Sequence, residues 1–179
     1  MVKLLALLPW FVSALSGSYV FANEHAIEKQ FLTRAQLRDA EFVSTWLKTK
    51  ATTADKKAAV RFLASAMMAK NSSAAAKGFL ESMIRYPSPQ ALAGYAAAES
   101  RMFGEIRARN KNVDQHIASD MARTLEYYQS AIAADAVLKV MPEHEIEQIR
   151  KNAACLTIYL RSKNVQKNCP PLENYTAKR

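Results

Sequence analysis

Residues 121–135 read MARTLEYYQSAIAAD, and the fold class turns on this stretch. Thr124, Tyr128 and Ala131 share one face of a predicted helix, and Ala136 follows at its end. Upstream, Ala75, Phe79, Ser82 and Pro87 stand at the same intervals of four, three and five residues. The small residues of such a ladder let two helices touch, and the aromatic fills the gap to the next hairpin. A proline then ends the helix. Two ladders of this kind predict helices stacked in antiparallel pairs.

The flanking sequence extends the pattern. Residues 23–50 are predicted helical, with Ile27, Phe31, Ala35, Phe42 and Trp46 on a stripe that Leu32, Val43 and Leu47 widen. Ala51-Thr52-Thr53 reads as a break, and Thr53 or Asp55 is the expected cap of a helix running to about residue 70. Its apolar stripe is Ala59, Phe62, Leu63, Ala66 and Met67. Asn71-Ser72-Ser73 predicts a turn and cap before a third helix over 74–85, stopped by Pro87 and Pro89. Ser88 is placed to cap a fourth, alanine-rich helix to about Phe103, which Gly104 ends or weakens. The polar stretch 105–119, with Arg107, Arg109 and Lys111, fits either a continued helix or a loop. A fifth helix is expected over 120–136 and a sixth over 142–162, with Glu143 and Glu145 favouring its first turn and Ile146, Ile149, Ala153, Leu156, Ile158 and Leu160 as its apolar residues. About six helices with short turns give an all-α class of stacked antiparallel hairpins.

These ladders resemble the second helices of tetratricopeptide repeats, units of about 34 residues. Ser88-Pro89-Gln90-Ala91-Leu92 is similar to a first-helix start, and Gly104 falls where that family often has its turn glycine. The resemblance covers about residues 56–136 and implies a TPR-like α-solenoid. It departs in four ways. The ladders are further apart than one repeat, which places an insertion around 105–119. Ser82 and Thr124 replace alanines, and Ala136 replaces the last proline. Ala59 and Ala93 stand where a large residue is usual. The family's concave groove positions map onto Lys57, Val60, Ala64, Met67 and Met68 in the first hairpin. In the second they map onto Ala91, Gly94, Ala98, Arg101 and Met102. The resemblance implies a protein or peptide partner in that groove, while Met67, Met68 and Met102 also fit core filling.

Composition bounds the rest. The chain has 179 residues, only 4 glycines and a formal charge of +9, with half its residues apolar. These values suit one helical domain and exclude a wholly disordered chain or a many-stranded β protein. Residues 1–22 read as a secretory signal peptide: Lys3, an apolar run from Leu4 to Leu15, then Val20-Phe21-Ala22 with small residues around a cut after Ala22. No later stretch approaches the roughly 20 apolar residues of a membrane span. Three segments follow: the signal 1–22, a helical domain 23–163 and an irregular tail 164–179. In an exporting compartment Cys155 and Cys169 read as a structural disulfide.

No catalytic signature or cofactor motif is found. His25, His116 and His144 have no partners at metal-ligand spacing, although His116 and Asp120 could meet across one helical turn. Glycines are too few for phosphate-cradling loops. Positive charge gathers at Arg107/Arg109/Lys111 and in the tail, where Arg161, Lys163, Lys167, Lys178 and Arg179 lie. It suits solvation, an acidic partner or an anionic envelope surface, with nucleic acid disfavoured. The leading expectation is a periplasmic or secreted, non-enzymatic adaptor aiding an envelope or secretion assembly. The alternative is a small periplasmic inhibitor or immunity-type protein that blocks a single toxin or enzyme.

Overall fold

A computed structural model describes residues 31–109, 114–162 and 169–172, with the side chains of 106–109 and 114–117 left out. The predicted signal peptide, residues 23–30 of the first predicted helix and most of the tail lie outside the described residues. The rest is all-α. Seven α-helices are described: α1 Arg34–Arg38, α2 Ala40–Thr49, α3 Thr53–Met67, α4 Ser72–Met83, α5 Pro89–Arg109, α6 Asp114–Leu138 and α7 Glu143–Ser162. A 3-10 turn, Pro170–Leu172, follows in the stretch expected to be irregular.

Local chemistry sets most boundaries. Thr33 begins α1 with a reciprocal capping box to Gln36. Asp39 then divides the predicted first helix: its backbone is extended, and its carboxylate accepts from Glu41 and Phe42 N–H at the start of α2. Thr52 caps α3, one residue before Thr53, and Asp55 closes the box from within the helix. Asn71 caps α4, its Oδ1 accepting from Ala74 N–H at 2.8 Å, so α4 begins earlier than expected. Ser88 caps α5 through Ala91 N–H. Gly104 does not end α5; no described glycine has a positive φ, and the helix runs on to Arg109. Residues 105–109 thus continue α5, and 114–119 open α6.

From α3 to α7 each helix packs on the next, and α6 also packs on α2. Small residues bring α3 and α4 close: a Cβ added at Gly78 would lie 2.8 Å from Ala66 Cβ. The Ser82 hydroxyl donates to the Ala59 carbonyl at 3.1 Å across the same contact. Phe79 is buried against Gly94 of α5, whose missing side chain leaves room for the ring. Tyr128, Thr124 and Ala131 are buried in the second ladder, whereas Ala136 is exposed.

The short link after α2 does not make it a neighbour of α3. α2 packs on α6, with Val43 and Leu47 buried, and α1 joins it there. Trp46 meets Tyr86 edge-on with centroids 6.3 Å apart. Leu32 N–H donates to the Ile84 carbonyl, and the Arg85 guanidinium lies over both Phe31 and Phe62 at 4.9 and 4.3 Å. These contacts tie the chain ahead of α1 to the end of α4.

Candidate functional site

α4 holds α3 and α5 apart, and the space left between them is a cleft of two adjoining cavities of about 300 and 330 Å³. Lys56, Val60 and Leu63 of α3 line the first, and Met67 lines the second. Gln90 of α5 lines both, while Ala93, Gly94 and Ala97 extend the second. The opposite wall comes from Val140, Met141 and the α7 residues Glu145, Gln148, Ile149 and Asn152. Phe79 and Tyr128, one from each ladder, also line the second cavity.

The turn after α6 sets that opposite wall. Lys139 takes a left-handed backbone with φ 49°, which ends the helix. The Asp135 carboxylate then accepts from the N–H groups of Val140 and Met141 at 3.1 and 3.0 Å. Val140 remains 44% exposed, as Val60 and Met67 do at 54% and 74%.

The groove positions expected from sequence divide into three groups. Val60, Met67 and Gly94 line the cleft, although Phe79 occupies the space over Gly94. Ala64 and Met68 line a separate open depression with Arg61 and Lys70, while Lys57 is exposed on the same helix. Ala91 and Ala98 are fully buried, so they build core and cannot face an open groove. Arg101 is exposed and Met102 half-buried, and neither lines the cleft. Gln90, Val140, Met141 and the α7 residues were not expected there. Their place depends on α7 facing α3 across α5, which residue spacing does not encode.

A buried polar cluster joins α5 to α6. The Tyr95 hydroxyl donates to Glu99 Oε1 at 2.5 Å, and the Tyr127 ring meets Tyr95 edge-on at 4.9 Å. Asp120, considered above with His116, is ion-paired with Arg123. Burial raises the Glu99 carboxyl above its ordinary value, against the hydrogen bond from Tyr95 and the charges of Arg34 and Arg123. Burial likewise raises the Tyr95 phenol and pushes Tyr127 up to about 12.

A folded-state carboxyl pKa above 4.5 means that the native chain holds a proton the unfolded chain has released. Between those two values stability therefore falls as pH rises. Glu99→Gln, which keeps an acceptor for Tyr95, is expected to flatten that slope in urea unfolding run across pH. An unchanged slope would show that Glu99 titrates at its ordinary value in the fold.

Cys155 and Cys169 are joined as a disulfide with Cα atoms 6.0 Å apart. Among the described residues no group of three His, Cys, Asp or Glu is placed to hold a metal. No helix among them is long and apolar enough to cross a membrane. No protein-family model matches the chain, and no curated protein or solved structure matches it.

Proposed function

We propose that this protein is an exported, non-enzymatic helical-repeat adaptor that holds a segment of another protein in the cleft between α3, α5 and α7. It would serve an envelope or secretion assembly. One observation carries the reading: Val60, Met67 and Val140 are large apolar side chains left in water along two adjoining cavities. A concave apolar site edged by Gln90, Gln148 and Asn152 suits a helix or extended segment, its polar groups fixing orientation. The TPR-like ladders support the adaptor class, and the leader-like first segment with the paired cysteines supports export.

Co-purification from envelope extracts, read by mass spectrometry, tests the proposal. The native chain is expected to retain a partner that Val60→Glu and Met67→Glu lose, with affinity down roughly tenfold or more. Both residues are exposed, so circular dichroism of the variants should match the parent. Recovery of one enzyme in a tight equimolar complex would favour the inhibitor reading. A partner held equally by the variants would exclude the cleft.

A further inference from the structure

α3 carries a second stripe beside the one that lines the cleft. Lys57, Arg61, Ala64 and Met68 recur at intervals of four, three and four residues, one position on from Lys56, Val60, Leu63 and Met67. Met68 is 78% exposed, and Lys57, Arg61 and Ala64 are exposed with it. Arg61, Ala64, Met68 and Lys70 line a depression that runs on to Asn71 and Ala74 at the start of α4. Among the described residues α4 is the only helix that packs along α3, because α2 has gone to α6. The array therefore ends on a helix with bare apolar side chains, where a terminal helix normally turns a polar face outward.

The charge around this stripe is mainly positive. Lys56, Lys57, Arg61 and Lys70 outnumber the acids nearest the stripe: Asp55, held in the capping box with Thr52, and Glu105, whose carboxylate accepts from the Ser72 hydroxyl at the start of α4. A second copy docked on the same stripe would set lysine and arginine against their like, which charge repulsion opposes. A flat anionic bilayer would meet the protruding cations but would not fill the depression between α3 and α4. A helix ridge fits such a depression.

Resting on the adaptor reading, we infer that the outward face of α3 docks an acidic amphipathic helix of the partner protein. The apolar ridge of that helix lies over Ala64 and Met68, and its carboxylates face Lys57, Arg61 and Lys70. The partner helix then completes the array beyond α3.

Two designed helical peptides, each about as long as α3, test this on the purified oxidised protein. They share an apolar face and carry either Glu or Gln beside it. Fluorescence anisotropy is expected to show the Glu peptide binding roughly tenfold tighter, with the advantage shrinking at high salt. Hydrogen exchange should slow over residues 57–70. Arg61→Glu and Met68→Glu should each weaken binding of the Glu peptide, whereas Gln148→Glu on the cleft wall should not. Equal affinity for the two peptides, protection confined to α5 and α7, or self-association in place of peptide binding would overturn the inference. So would binding to phosphatidylglycerol vesicles without binding to the peptides. If the peptides fail while Met67→Glu still costs the envelope partner, only the α3 inference falls. If no envelope partner exists, the adaptor reading falls with it.

Discussion

Phe79→Ala and Tyr128→Ala should each lower the unfolding free energy by about 3–5 kcal/mol, a large share of the roughly 5–15 kcal/mol that holds a domain together. Phe79 is buried, and its ring fills the place where Gly94 has no side chain. Truncation there removes the ring and leaves a space that Gly94 cannot fill. Tyr128 is 2% exposed, and burial pushes its phenol up to about 12, against the opposing influence of Asn152, Arg101 and Ser100. Tyr128→Phe should therefore cost only about 1 kcal/mol, because the packing stays and only the hydroxyl goes. Urea midpoints equal to the parent in both alanine variants would mean that the two ladders are not packing ladders.

The same residues show how far sequence reasoning reached. Seven of the eight ladder residues are buried: Ala75, Phe79, Ser82 and Pro87, then Thr124, Tyr128 and Ala131. Volume and spacing were enough there, since a small–large–small run on one face has few uses other than close helix contact. Ile146, Ile149, Ala153 and Leu156 of α7 are buried for the same reason, a stripe at helical period. Ile158, expected to be apolar lining of the same helix, stands two positions after Leu156 and so turns off that face, which leaves it 39% exposed.

What the sequence hid was which surfaces meet. Val43 and Leu47 mark the face that α2 buries, but nothing in their spacing says that α6 covers it. The short link to α3 suggested a hairpin because brief connections usually join neighbours. Here the extended backbone at Thr52 lets α3 leave in another direction. The result bears on the candidate site. With α2 elsewhere, Met67 and Met68 lie in water, whereas Met67 had been placed on the apolar stripe of its helix. The polar segment 105–119 was ambiguous for a different reason. A helical segment with few apolar residues has no stripe to mark it, so Arg107 and Arg109 fitted helix and loop equally well.

Replacing both cysteines, as Cys155→Ala with Cys169→Ala, should cost about 3 kcal/mol by the loop-closure estimate for a ring of about 15 residues. The sequence separation is 14, and the Cα atoms lie 6.0 Å apart. Cys155 is buried in α7, and Cys169 and Leu172 are buried beyond it. The 3-10 turn packs on both α5 and α7, so the bond holds an apolar cover over the seam between two helices that line the cleft. Its loss should speed hydrogen exchange first at the amides of residues 169 and 172, then along α7, and last in the ladders of α4 and α6. The single variant Cys169→Ala should lose as much as the pair, because one remaining thiol cannot close the ring. Two free thiols in protein isolated without reductant from its own compartment would refute the pairing. They would also remove one support for export, since a stable disulfide belongs to an oxidising environment. Equal exchange at the amides of residues 169 and 172 with and without the bond would instead show that burial of Leu172 alone holds the tail.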